Sequence, residues 1–419
     1  MTKRVIFCNR VYWPDEAATA QILVDLAEKL TTYGWSVAIV TSQTASDQPL
    51  KENRRGVEIY RVRSAWADHS QLSGKIGNYF VFSLGSLGKL LDITRPGDCL
   101  VLMTDPPLLA LAATIVGRIK GASVIHWLQD IYPEIAAAMK PGNRLLAAAL
   151  GPLQWARNLV WHFSTACVTL SEDMAGLVRR TGITNAHIAI VPNWAREDAV
   201  TPQIANQSAL YSAWALENKF VVAYSGNLGR VHVLMPLLEI AQRLNAERDI
   251  VFLFIGDGAQ RKPLEAEAKR RGLTNMVFKP AQPREKLSES LSLGHIHVVS
   301  LRQGFEDFVY PSKFYGVLAA QRPVLFIGSP TSELARTVTT LECGLVFTPD
   351  QVNEVAQALL SLKSAPSKLT AMGGNARGFF ETYSGLQRAS NKWNELLTHY
   401  WASSNHASQT IHGRHATII

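Results

Sequence analysis

The residues best placed for chemistry lie in the stretch that runs from Glu306 to Phe326, EDFVYPSKFYGVLAAQRPVLF. Glu306 stands in a loop, and Pro311-Ser312-Lys313 follows it. A short apolar helix then ends near Arg322-Pro323, and residues 324–327 read as a buried strand. That order gathers Glu306, Lys313 and the first amides of a helix around one pocket. A helix N-terminus carries unpaired N–H groups and partial positive charge, which suits an anion. Lys313 in the first turn opposes the helix dipole unless an anion neutralises it. The simplest occupant is the diphosphate of a sugar nucleotide.

These residues need a frame, and the chain supplies one in strand-like and helix-like segments that alternate almost throughout. The alternation predicts an α/β protein with parallel sheets and crossover helices. Strands are predicted at 5–8, 36–41, 57–62, 99–103, 123–127, 167–170 and 188–191, with helices at 20–33 and 108–119 and a Ser171-capped helix between the last two strands. A polar stretch centred on Thr201-Pro202-Gln203 reads as a linker, after which the pattern starts afresh with a strand at 220–225. The expected layout is a first Rossmann-like domain over 1–197, a linker over 198–217 and a second such domain over 218–385. A helix over 386–401 and a disordered tail over 402–419 complete it. Ligands of such sheets bind outside the carboxyl ends of the strands, and the cleft between the halves is the expected site.

Five segments carry a family resemblance. They are Tyr12 to Gln21 (YWPDEAATAQ), Trp127 to Glu134 (WLQDIYPE), Ile190 to Trp194 (IVPNW), Tyr224 to Arg230 (YSGNLGR) and the Glu306 stretch. In this order and spacing the chain resembles a GT-B fold glycosyltransferase of family 4. The branch it is most similar to builds O-antigen, capsule and exopolysaccharide units, fucosamine transferases among them. The resemblance implies two Rossmann-like domains, with a C-terminal helix that crosses back to the first.

It also implies roles. Arg230 and Lys313 match the cations that bind the donor diphosphate, with Gly226, Asn227 and Gly229 forming the turn before Arg230. Glycine there would let the backbone approach phosphate closely. The bland reading of Arg230 is a solvated side chain on a glycine turn, and that of Lys313 is a surface pair with Glu306 or Asp307. Glu306 matches the glutamate that contacts donor-sugar hydroxyls, although adjacent Asp307 could serve. The family's second glutamate, which holds the ribose, is replaced by Gly316, leaving Ser312 or Tyr315 to supply that contact. Phe278 and Pro280 lie where relatives bind the base, and Phe278 reads as core in any case. On the acceptor side the resemblance points to Ala18, Thr19, Gln129 and Asp130. Gln129 replaces a histidine and has no accessible pKa, so Asp130 is the candidate that binds or activates the acceptor hydroxyl. His126 and His232 read as structural.

The implied activity is retaining transfer of a hexosyl or N-acetylhexosaminyl group, with a nucleotide diphosphate donor, a UDP-sugar being favoured, and a polyprenyl-diphosphate-linked saccharide acceptor. No cofactor or metal is expected, and no strand ends in a D-x-D-type motif. With no enzyme nucleophile evident, the leaving phosphate would act as base.

Composition bounds this reading. The chain has 419 residues, 47% hydrophobic and 18% charged, as a two-domain globular protein should. Its formal charge of +8 suits an anionic partner. No basic helix, zinc finger or RNP-like strand argues for nucleic acid. Two segments, 75–91 and 140–162, interleave basic with apolar and aromatic residues, as a helix lying on an anionic membrane would, or as two ordinary amphipathic helices would. The four scattered cysteines read as buried thiols of a reducing compartment. The expected location is therefore cytoplasmic, peripheral at the inner face of the cytoplasmic membrane. A sugar-nucleotide 2-epimerase on the same fold, and an inactive sugar-nucleotide-binding scaffold, are the competing readings. A dehydrogenase is disfavoured because no strand leads into G-x-G-x-x-G.

Overall fold

The computed structural model describes residues 2–63, 72–106 and 109–415, apart from the side chains of 72–76 and 404–415. Its strands are β1 Arg4–Cys8, β2 Ser36–Gln43, β3 Lys51–Arg54, β4 Val57–Arg63, β5 Cys99–Met103, β6 Ser123–Trp127, β7 Ala166–Thr169, β8 Ile188–Ile190, β9 Phe220–Ser225, β10 Ile250–Ile255, β11 Met276–Lys279, β12 Ile296–Ser300, β13 Val324–Ile327 and β14 Gly344–Phe347. Its α-helices are α1 Ala18–Thr32, α2 Leu72–Ile93, α3 Leu109–Ile119, α4 Glu134–Ala138, α5 Arg144–Phe163, α6 Glu172–Arg180, α7 Ala209–Ala213, α8 Met235–Arg243, α9 Arg261–Arg270, α10 Leu287–Ser292, α11 Lys313–Ala319, α12 Glu333–Thr340, α13 Val352–Lys363, α14 Pro366–Phe379 and α15 Leu386–His415.

Two compact units divide the chain. The first holds Met1–Pro192, Asp307–Tyr310 and Gln387–Ile419; the second holds Asn193–Glu306 and Pro311–Leu386. The boundary thus falls before the expected residue 197. The stretch 198–217 is docked within the second unit: Val200 and Leu216 are buried, Ser208 caps α7, and the Thr201 amide donates to Ser288 Oγ at 2.9 Å.

In the first unit eight strands run β3-β4-β2-β1-β5-β6-β7-β8, all parallel except β3, which is antiparallel to β4. Strand β5, CLVLM, is buried at every position, as a strand covered on both faces must be. The strand order reverses at β1, whose neighbours are β2 and β5. That switch point opens a crevice at the carboxyl ends of β1 and β5. Helix α15 completes this unit. Its Trp393 ring centroid lies 4.7 Å from Trp127 and 6.4 Å from Phe7, and all three side chains are buried. Trp35 Nε1 donates to Asn394 Oδ1 at 2.8 Å, and Tyr33 Oη to Asn391 Oδ1 at 2.6 Å. Residues 402–415, expected to be a disordered tail, continue this helix. Ala402 and Ala407 favour helix, and no proline interrupts the stretch.

The second unit is a six-stranded parallel sheet, β11-β10-β9-β12-β13-β14. Its reversal falls at β9, between β10 and β12. Tyr224, Phe252 and Phe254 lie in its core cluster, with Phe278 packed against it.

Candidate functional site

The second unit brings together the residues expected to hold the donor. Beyond β9 the chain turns at Gly226, whose φ of +126° excludes most side chains. Gly256, at the end of β10, meets that turn so closely that a Cβ there would lie 2.2 Å from the Gly226 carbonyl oxygen. The Asn227 carbonyl accepts from Tyr224 Oη at 2.8 Å, and the Leu228 amide donates to the Asp257 carbonyl at 2.8 Å. His232 Nδ1 lies 2.6 Å from the Ser300 carbonyl, which sets it as the protonated nitrogen and ties the turn to the end of β12. Burial and the nearby Lys313 push the His232 pKa down to about 3, so the ring is a neutral structural link. Gly229 has no left-handed backbone; a Cβ there would stand 3.2 Å from Asn227 Nδ2.

Lys313 opens α11 and reaches back to this turn. Its Nζ donates to Tyr224 Oη and lies 3.6 Å from the Tyr224 ring centroid. A Cβ on Gly226 would stand 3.6 Å from Lys313 Cε. Among the described residues no carboxylate pairs with Lys313, which removes the expected alternative of a surface pair with Glu306 or Asp307. Burial without a counter-charge holds its pKa well below the usual lysine value. Arg230 is exposed on the same turn. A half-buried lysine and an exposed arginine thus place two basic side chains beside close-packed backbone.

The other donor-side candidates differ in what they touch. Glu306 is half-buried and accepts from the Gly304 amide at 2.7 Å. Asp307, its neighbour, belongs to the first unit and pairs with Arg180. Phe278 stacks on Phe254 with centroids 4.9 Å apart, so it is core packing at the edge of the sheet, and Pro280 beyond it is exposed. Ser312 precedes α11 without a side-chain capping bond, and Tyr315 is buried edge-on to Phe314. At Gly316 a Cβ would meet only Leu291 Cδ1 at 3.5 Å, an ordinary van der Waals contact.

In the first unit a cavity of about 320 Å³ is lined by Asn9, Thr19, Tyr79, Met103, Thr104, Asp105, Gln129, Asp130 and Tyr132. Thr19, Gln129 and Asp130 are among the expected acceptor-side residues; Ala18 is exposed at the start of α1. The Asp130 amide donates to Thr104 Oγ1 at 3.3 Å, and Asp130 forms an isolated bridge with Val309. Burial, with a smaller push from Asp105, raises the Asp130 pKa to about 6. His126 is enclosed, 2.9 Å from Thr114 Oγ1, and burial takes its pKa down to about 4, which suits a structural role.

Sequence reasoning missed Tyr224, Gly256 and, in the cavity, Asn9, Tyr79, Asp105 and Tyr132. The available signal was position. Asn9 directly follows β1, and Asp105 follows β5 after one residue, both at carboxyl ends beside the switch point.

Comparison with known proteins fits this geometry. Residues 18–194 match a glycosyl transferase 4-like domain, and residues 212–379 match the glycosyl transferases group 1. The chain belongs to the glycosyltransferases. This glycosyltransferase is 31% identical over 179 residues to a putative colanic acid biosynthesis glycosyl transferase, WcaI, of Escherichia coli K12; the match spans 41% of this chain and 42% of that relative's length. It is 24% identical over 304 residues to a probable glycosyltransferase, WbjE, of Pseudomonas aeruginosa, spanning 72% of this chain and 74% of the relative. Its fold matches that of Anabaena Alr3699/HepE, solved in complex with UDP-glucose, with a TM-score of 0.72 at 13% identity, over 94% of this chain and 99% of the other. The fold of this glycosyltransferase is GT-B, with two Rossmann-like sheets.

Proposed function

We propose that this glycosyltransferase transfers a hexosyl or N-acetylhexosaminyl group, with retention and without a metal, from a nucleotide diphosphate donor to a lipid-linked saccharide in bacterial surface-polysaccharide synthesis. The observation that carries the reading is Lys313: a half-buried lysine with no carboxylate partner among the described residues, its amine desolvated against the Tyr224 ring and its stem over the Gly226 turn that leads to Arg230. Burying an unpaired ammonium is costly. A diphosphate on that turn restores its counter-charge and receives the charge that develops as the glycosidic bond breaks. A uridine diphosphate donor is favoured because the structural neighbour HepE was solved with UDP-glucose. The polysaccharide context follows the colanic acid relative.

In this reading the acceptor hydroxyl oxygen bonds to the anomeric carbon while the bond to the diphosphate breaks. The hydroxyl proton passes to the departing phosphate oxygen on the same face, so configuration is kept. Lys313 and Arg230 stabilise the leaving diphosphate, Glu306 orients the sugar hydroxyls, and Asp130 holds the acceptor hydroxyl.

A lipid-linked acceptor requires the first unit to meet a membrane. Helix α2 supports this. Phe82, Ser86 and Leu90 form its buried face, yet Phe80, 64% exposed, and Leu84 and Leu91 lie outward. A soluble helix would carry polar residues there. Trp155, 66% exposed, and Leu145 and Phe163 extend the apolar surface on α5. Among the described residues no helix is long and apolar enough to cross a membrane, so contact would be peripheral. Of the basic residues expected beside this surface, Lys89 pairs with Asp92, and the Lys75 side chain lies outside the described residues. The reading is tested by supplying UDP- and GDP-sugars with polyprenyl-diphosphate saccharides and EDTA, and analysing the product. A new glycosidic linkage with donor configuration supports it; donor consumption without acceptor, or epimerised donor, refutes it.

A further inference from the structure

The cavity of the first unit contains more polar groups than holding one acceptor hydroxyl requires. It lies at the carboxyl ends of β1 and β5, where the strand order reverses. Asn9, 1% exposed, forms part of its wall. Asn9 Nδ2 donates to the Val11 carbonyl at 2.7 Å, which fixes the amide orientation, and leaves Oδ1 buried with no donor among the described residues. A buried acceptor of this kind calls for a donor from solvent or ligand. Asp105 sits on the same wall, gripped by Arg10 through Nε at 3.1 Å to both oxygens and through Nη2 at 2.9 Å. A carboxylate offers about four lone-pair sites, so acceptor capacity remains beyond that grip. Asp130 adds a third acceptor.

We propose that this cavity binds a sugar ring through its hydroxyls, with Asn9 Oδ1 and Asp105 as specificity-determining acceptors beside Asp130. Three convergent acceptors complement a ligand rich in O–H donors. Among the described residues two carboxylates, Asp105 and Asp130, face this cavity against one cation, Arg10, an excess of negative charge that disfavours phosphate. Tyr79, whose ring Arg10 overlies at 5.3 Å, and Tyr132, each 39% exposed, add aromatic surface to the cavity wall for the C–H side of such a ring. The choice of a sugar rests on the glycosyl-transfer reading; the complementarity to hydroxyl donors does not.

The test is saturation-transfer NMR on the full chain with neutral methyl hexosides and methyl N-acetylhexosaminides. Inorganic phosphate serves as competitor, and UDP and GDP binding is measured alongside. At least one glycoside is expected to bind wild-type protein. Its affinity should fall about tenfold or more in Asp105→Asn and in Asn9→Ser, the scale of one lost hydrogen bond to a charged or buried group. Phosphate should not displace it, and thermal stability reports that each variant is folded. Equal binding to wild type and to either folded variant, displacement by phosphate, or no glycoside signal overturns the proposal. If UDP or GDP still binds in those cases, the donor reading survives while the cavity assignment fails. Glycoside binding that responds to the variants without any nucleotide binding upholds the cavity assignment and removes the donor reading.

Discussion

The Lys313 ammonium nitrogen lies 3.6 Å from the centroid of the Tyr224 ring, and these residues are 89 positions apart. Tyr224 is the penultimate residue of β9 and Lys313 opens α11, so the pair ties the strand at the switch point of the second sheet to the helix that follows β12. Its electrostatics make the first prediction. A lysine whose folded pKa is lowered binds fewer protons than the free side chain at pH values between that pKa and 10.5. A diphosphate placed on it raises the pKa again. Binding of a nucleoside diphosphate should therefore take up protons within that window. Calorimetry in buffers of differing ionisation enthalpy measures it, and Lys313→Met should abolish the uptake.

Asp130 gives a pH dependence of the opposite kind. Burial raises its pKa from 3.8 to about 6, so between these values the folded protein holds a proton that the unfolded chain has lost. Stability should fall as pH climbs through that window, with the cost constant above it. Asp130→Asn should remove about 3 kcal/mol of that dependence, at 1.36 kcal/mol per pKa unit. Urea unfolding across the window reads it. If the ionised form holds the acceptor hydroxyl, turnover should rise through about pH 6.

The last helix should matter for the first unit's stability. Trp393 is fully buried between Trp127 and Phe7. Trp393→Ala should cost about 3–5 kcal/mol, as other large-to-small aromatic truncations do. Chemical denaturation of wild type and variant gives the difference, while nucleotide binding by the second unit should persist.

Phe80→Glu with Leu84→Glu should weaken sedimentation with vesicles containing anionic lipid, because both side chains lie on the exposed face of α2. Nucleotide affinity should not change. Unaltered sedimentation would show that this face does not meet the membrane.

Local patterns made most of the fold legible. Runs such as CLVLM and IVFLFI announce strands that are buried on both faces, and the structure buries both at every position. The polar edge strand β3, KENR, has no such signature; its pairing with β4 decides it. The helix over 402–415 was missed for a related reason, since its Ser- and His-rich sequence shows no apolar periodicity. Lys313 and Arg230 were legible through segments that resemble a family. The Tyr224 contact and the Asn9–Asp105 wall were not, because each joins distant residues through sheet order, which local sequence does not encode.

Everything proposed for the second unit depends on Lys313 and the Gly226–Arg230 turn holding a nucleoside diphosphate. The decisive experiment is to titrate the purified chain with UDP and GDP, with and without EDTA, beside Lys313→Ala and Arg230→Ala. One diphosphate should bind saturably and indifferently to EDTA, and either substitution should weaken it at least about tenfold, with turnover lowered on the order of 100-fold. Binding of neither nucleotide, or equal binding by wild type and both variants, would contradict this assignment.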